Sequence, residues 1–158
     1  MLEINIREAT FSDLDTLLEM EQGIIEAERP YDPTIRKSDT RYYDLGAMLN
    51  SPDIRLVVAE NQEGIMGTGY ARIDQARPFL LHEKQVYLGF MFILPAYRGQ
   101  GINRLIIEDL LHWGHTRGHE EFRLEVYVDN TSAIRAYEKI GFQPYSLEMR
   151  WNSDTKAE

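Results

Sequence analysis

Residues 88 to 111, Leu-Gly-Phe-Met-Phe-Ile-Leu-Pro-Ala-Tyr-Arg-Gly-Gln-Gly-Ile-Asn-Arg-Leu-Ile-Ile-Glu-Asp-Leu-Leu, decide the fold. An apolar run meets Pro95, and a short loop carries Gly99 and Gly101. Apolar residues then return at Ile102, Leu105, Ile106, Leu110 and Trp113, which is helical spacing. The order is strand, glycine loop, helix. Glycine allows positive φ or a close approach of the backbone to a ligand, and the first turn of a helix leaves N–H groups without intrahelical acceptors. With the positive end of the helix dipole and the cation Arg98 added, the loop suits a phosphate or pyrophosphate. A plain strand-to-helix turn, its glycines only relieving strain, is the alternative.

Working outward, Val86 to Leu94 is apolar on both faces and reads as strand four, in the middle of a sheet. Gly118 caps the helix, and Phe122 to Val128 alternates as strand five, with Arg123, Glu125 and Tyr127 on the non-core face. A helix between these strands implies a right-handed parallel crossover. Asp129-Asn130-Thr131 starts a short helix that Gly141 ends, with Asn130, Ala133, Ile134 and Tyr137 on one face. Phe142 to Trp151 alternates around Pro144 as one or two last strands. The whole reads as one domain over 1–152, with 153–158 a frayed tail.

Upstream, Ile4, Ile6 and Ala9 alternate as strand one. Ser12 and Asp15 resemble a capping box for helix one, whose apolar stripe runs to Ala27 before Pro30 and Pro33 impose a loop. A second helix after Ser38 takes in Tyr42, Leu45, Met48 and Leu49 and stops at Ser51-Pro52. Leu56 to Ala59 and Ile65 to Ile73 form a hairpin across Asn61 to Gly64, and a loop over 76–84 leads to strand four. Glu28 and Tyr31 in the proline loop and Arg72 in strand three are candidate substrate contacts, a solvent-facing role being the alternative for each.

The chain has 158 residues, 43% of them hydrophobic, enough for one substantial core. It has no stretch long and apolar enough for a membrane span and no signal-like start, so a cytoplasmic protein is expected. Without cysteine there is no disulfide, thiolate metal site or cysteine nucleophile. His112, His115 and His119 suit a helix C-terminus better than a metal, and no metal is expected. A net charge of −9 argues against a nucleic-acid partner and favours a neutral or cationic substrate. Residues 1 to 28 hold eight acids and one base, Arg7, and read as the solvated face of a helix or a field that steers an amine.

Gly99-x-Gly101-x-x-Arg104 is not a dinucleotide fingerprint, since Arg104 stands where a third small residue must pack, and no Gly-Lys-Ser/Thr makes a P-loop. Instead, Arg98-x-x-Gly101-x-Asn103 after Ile93-Leu94-Pro95 resembles the acetyl-CoA loop of the GNAT superfamily of N-acetyltransferases, Arg/Gln-x-x-Gly-x-Gly/Ala, with Asn103 departing from it. Asn130-x-x-Ala133-Ile134-x-x-Tyr137-x-x-x-Gly141-Phe142 is similar to the family's second motif.

The resemblance implies an α/β (α+β) fold: a mixed, mostly antiparallel sheet with helices on both faces, and acetyl-CoA in the gap between splayed parallel strands four and five. It implies pantetheine contacts from the backbone of Met91, Phe92 and Ile93. It also implies pyrophosphate contacts near Arg98 from the amides of Gly99, Gln100, Gly101, Ile102, Asn103 and Arg104. Asn130 would touch the cofactor arm, Tyr137 would stand by the thioester sulfur, and Glu125 resembles the base of members that acetylate peptide N-termini. Core packing for Met91 to Ile93 and Tyr137, a capping role for Asn130 and an ion pair with Arg123 for Glu125 are the alternatives. The expected activity is direct attack of a primary amine, on a small molecule or a peptide N-terminus, on acetyl-CoA. A non-catalytic acyl-CoA-binding module is the competing reading, a structural domain without cofactor is a third, and a homodimer is an open option.

Overall fold

In the computed structural model, which describes residues 3–154, the chain builds one five-stranded sheet in sequence order. The strands are β1 (Asn5–Glu8), β2 (Ile54–Asn61), β3 (Gly64–Gln75), β4 (Lys84–Ile93) and β5 (Phe122–Arg123). Pairing is antiparallel from β1 through β4 and parallel between β4 and β5, the expected mixed, mostly antiparallel arrangement. The helices are α1 (Leu14–Glu28), α2 (Leu45–Asn50), α3 (Ile102–Thr116) and α4 (Thr131–Ile140). The chain divides into two compact units, one up to Glu125 and one from Val126.

Strand alternation sends neighbouring residues of β3 to opposite faces. Tyr70 joins Leu17 and Met20 of α1, Leu45 of α2 and Phe90 and Phe92 of β4 in one buried cluster. Gly67 and Gly69 face the other way, where a Cβ would come within 3.4 and 2.8 Å of Ile106 of α3. Of the α3 stripe expected from Ile102, Leu105, Ile106, Leu110 and Trp113, Ile102, Ile106 and Leu110 are buried, Trp113 is half-buried and Leu105 is exposed. A fork of Arg55 on β2 also ties that helix to the sheet, its Nε and Nη2 donating to the Asp109 carboxylate at 2.7 and 3.2 Å. Gly23 does the same service for α1: a Cβ there would lie 2.6 Å from the Phe92 ring, so only glycine lets this helix rest on β4.

Five expectations are corrected. The capping acid before α1 is Asp13, not Asp15: the Thr10 N–H donates to Asp13 Oδ2 at 2.8 Å, and a 3₁₀ turn over Phe11–Asp13 precedes the helix. Helix two is shorter than expected and begins after Asp44, whose Oδ1 accepts from the Ala47 N–H at 3.1 Å, because the amides of Tyr42 and Tyr43 are already taken by Glu21. The acids of residues 1 to 28 are not all a solvated face, since Asp13 and Glu21 are buried.

Strand five has two residues rather than seven, and its ladder stops at the pair of Tyr87 with Arg123. Residues 142–151 form no strand, although Tyr145, Leu147, Met149 and Trp151 alternate and are exposed; a strand exists only where a neighbour takes its backbone groups. In the expected frayed tail, Ser153 and Asp154 form a turn, and 155–158 lie outside the described residues.

Candidate active site

The central strand β4 carries the first feature of the site. Its register with β3 runs Ile93 to Gly67, Phe92 to Thr68 and then Gly89 to Tyr70, so Phe90 and Met91 oppose the single residue Gly69. That is a β-bulge, and Phe90 sits in it at φ 54°. A bulky residue in the left-handed region costs about 1–3 kcal/mol and persists only where packing over-determines it. Here the Phe90 ring is buried against Tyr43, with centroids 4.8 Å apart. The extra residue also switches the strand's parity. Val86 faces α3, whereas beyond the bulge Phe90 and Phe92 lie under α1.

On the far edge of β4, β5 pairs only with Val86 and Tyr87, so from Leu88 to Ile93 no strand among the described residues lies beside that edge. This open edge includes the backbone of Met91, Phe92 and Ile93 and can pair with an extended ligand by main-chain hydrogen bonds.

The strand runs on through a 3₁₀ turn at Pro95–Tyr97 into the glycine loop. Gly99 and Gly101 both stand at φ 80°, and among the described residues no atom beyond the adjoining residues lies within 4 Å of where either would carry a Cβ. Gly101 is the N-cap of α3, whose first-turn amides, Ile102, Asn103 and Arg104, have no intrahelical acceptor. A concave backbone with free N–H groups at the positive end of a fifteen-residue helix suits a pyrophosphate. Arg98 folds back, its Nε donating to the Ile93 carbonyl at 2.9 Å and its guanidinium 5.5 Å from the Phe92 ring centroid. Arg104 pairs with Glu108 at 2.8 Å along the helix.

The α1 side of the sheet holds a cavity of about 380 Å³ lined by Tyr42, Tyr43, Met48, Ile54, Tyr70 and Arg72, among others. The rings of Tyr43, Tyr70 and Tyr87 form a chain with centroids 5.6 and 6.3 Å apart. Gly89 makes room for it, since a Cβ there would be 2.6 Å from the Tyr70 ring. Burial raises the pKa of all four tyrosine hydroxyls, which therefore stay protonated. Arg72 lies 5.0 Å from the Tyr87 ring centroid and grips Asp74 through Nε and Nη2 at 2.7 and 3.1 Å, so its charge is largely answered within the wall.

Glu28 at the end of α1 hydrogen-bonds Tyr42, and burial holds its pKa above the usual carboxylate range. The charges of Glu28 and Glu125 both help to raise the Tyr87 pKa, and Arg72 stacks on the same ring. Tyr31 is half outside this group: its N–H donates to the Glu28 carbonyl at 2.9 Å, but it does not line the cavity. A larger depression of about 560 Å³ between His82–Lys84 and Gly118–Glu121 includes none of the expected site residues.

In the second unit, Asn130 caps α4, its Oδ1 accepting from the Ala133 N–H at 3.3 Å, and Gly141 at φ 122° ends the helix. Tyr137 lies two turns along, edge-on to Phe142 with centroids 6.0 Å apart. In the first unit, Arg123 pairs with Glu121 at 3.2 Å. Sequence reasoning missed the bulge at Phe90, the aromatic wall and the role of Glu21. Glycine at 67, 69 and 89, inside strands, was the available signal of the first.

The acetyltransferase (GNAT) family pattern matches residues 19–142, and the chain belongs to that family. It is an N-acetyltransferase that uses acetyl-CoA as acetyl donor and an amine as acceptor. It is 27% identical over 164 residues to thialysine N-epsilon-acetyltransferase from Mus musculus, a match covering 97% of this chain and 92% of that one. To N-alpha-acetyltransferase RimI from Mycobacterium tuberculosis it is 28% identical over 149 residues, covering 94% and 84%. Its fold is shared with a predicted acetyltransferase solved with acetyl-CoA from Clostridium acetobutylicum, at a TM-score of 0.74, 18% identity and coverage of 95% and 96%. No helix among the described residues is long and apolar enough to cross a membrane.

Proposed function

We propose that the acceptor is a primary amine, on a small molecule or a peptide N-terminus, received in the tyrosine-walled cavity, with Glu125 as base and Tyr137 as donor to the leaving sulfur. The observation that carries this reading is the placement of that cavity on the α1 side of β4, the strand whose open edge leads into the glycine loop. Backbone amides of Gly99 to Arg104 and of Met91 to Ile93 hold the donor, and Asn130 adds a side-chain contact to its arm. The acids Glu28 and Glu125 favour a cationic amine, in keeping with the net charge of −9. A cysteine-free chain using acetyl-CoA fits a cytoplasmic enzyme.

The neutral amine nitrogen attacks the thioester carbonyl, the C–S bond breaks to give a thiolate that needs a hydrogen-bond donor, and the proton shed by the new amide nitrogen passes through solvent to that sulfur, so CoA leaves as the thiol. Before attack the amine must lose a proton. At pH 7 that costs about 4.6 kcal/mol for a lysine-like amine and about 1.4 for an α-amine. The relatives include both kinds by name, so the demand on Glu125 differs more than a hundredfold between the two candidate acceptors. A phenol of pKa about 10 giving its proton fully to a thiolate of conjugate pKa about 8.5 is uphill by about 2 kcal/mol, so Tyr137 acts as a donor whose bond to sulfur strengthens as charge develops.

Thiol release from acetyl-CoA in the presence of lysine, an alanyl tetrapeptide and small alkylamines tests the acceptor. Tyr137→Phe should leave acetyl-CoA affinity nearly unchanged and lower kcat by about ten- to a thousandfold. Full kcat in that variant, with chemistry rate-limiting, would remove Tyr137 from the mechanism.

A further inference from the structure

We infer that Glu21, a fully buried glutamate of α1, is a positioning residue for the acceptor wall. Its side chain has no exposed surface. One oxygen, Oε2, accepts from the backbone N–H groups of Tyr42 and Tyr43 at 3.0 and 2.8 Å, and the other accepts from Arg41 Nη1 at 3.1 Å. A buried carboxyl group is tolerated only when its oxygens are met by donors, and here three donors, all from residues 41–43, meet them. The bonds reach across twenty or more positions of sequence, from the middle of α1 to the stretch before α2.

That stretch supplies two of the rings that line the cavity. Tyr42 hydrogen-bonds Glu28, and Tyr43 packs on Tyr70 and on Phe90, the residue held at φ 54° in the β4 bulge. Residues 31–44 have no helix or strand of their own, so their backbone is not set by a ladder. Gln22 Nε2 adds one bond to the Thr40 carbonyl at 3.1 Å, leaving Glu21 as the only side chain of α1 that binds the tyrosine amides. Glu21 therefore fixes where the acceptor meets the bulge, while the donor seat at 91–104 is built without it.

This inference rests on the acceptor reading above, and the test separates the two. In Glu21→Leu the side chain stays buried and apolar and leaves no acceptor for the Tyr42 and Tyr43 amides. With lysine or the alanyl tetrapeptide, whichever is turned over, acceptor KM should rise at least about tenfold while acetyl-CoA Kd and kcat stay within about threefold. Arg41→Ala, which spares both amide bonds, should leave KM within about twofold. A lower melting temperature for Glu21→Leu with unchanged acceptor KM would make Glu21 a stabiliser only and overturn the inference.

Hydrogen exchange on the wild-type protein decides the clamp without any acceptor or variant. The Tyr42 and Tyr43 amides should be protected about as strongly as those of α1. If they exchange at the rate of the neighbouring 36–40 loop, the clamp is absent and the inference fails, whatever the amine screen shows. Protected amides with no acetylation of either amine would leave the clamp standing and overturn the acceptor reading instead.

Discussion

The two halves of the proposed site are made of different material. The donor side, Met91 to Arg104, is backbone: an open strand edge, two glycines at φ 80° and the first turn of α3, with Arg98 and Arg104 turned to partners of their own. The acceptor side is side chain: four tyrosines, an arginine already paired with Asp74, and the carboxylates of Glu28 and Glu125. A backbone seat suits a ligand that is the same in every turnover and tolerates variation in side chains. A side-chain seat is where specificity can change without disturbing the first.

The contrast breaks most visibly at Gly101. A valine there would have to adopt a φ of 80°, which its branched side chain resists, and would fill the space kept open beside the N-cap. Gly101→Val should abolish acetyl-CoA binding in calorimetry while the circular dichroism spectrum stays native. Wild-type affinity in the folded variant would mean that the phosphate seat lies elsewhere.

The acceptor side predicts a smaller effect of opposite sign. Burial raises the Glu28 pKa in the folded state, so folding takes up a proton there and the group's ionisation opposes folding as pH rises through the raised value. Below the unfolded carboxyl pKa the group is neutral in both states and has no such effect. Glu28→Gln should therefore raise the melting temperature at pH 8 relative to wild type and lose that advantage near pH 3. A variant less stable at both pH values would show that the Tyr42 bond outweighs burial.

The same division explains what could be read in advance. The donor side is written in adjacent residues whose backbone demands are local, so Pro95, Gly99 and Gly101 announce a strand, a turn and a helix start by spacing alone. The acceptor side joins α1, the 41–43 stretch, β3 and β4, and no local pattern connects Glu21 to amides some twenty residues away. Read locally, Glu21 belonged to an acidic helix face. Strand five misled for a related reason: residues 122–128 alternate correctly, but β4 offers them only two ladder positions before its edge opens. Arg72, a candidate substrate contact with a solvent-facing role as the alternative, leans on Tyr87, an effect of the register that sets the two residues opposite each other.

The most direct test follows backbone amides by heteronuclear NMR while each ligand is titrated separately. Acetyl-CoA should shift the amides of Met91 to Ile93 and Gly99 to Arg104, leaving Tyr42 and Tyr43 in place. An amine acceptor added to the CoA-bound protein should shift Tyr42, Tyr43 and Glu28 and leave Gly99 to Arg104 unmoved. Acetyl-CoA shifts centred on 41–48, with a silent glycine loop, would contradict the division of the site.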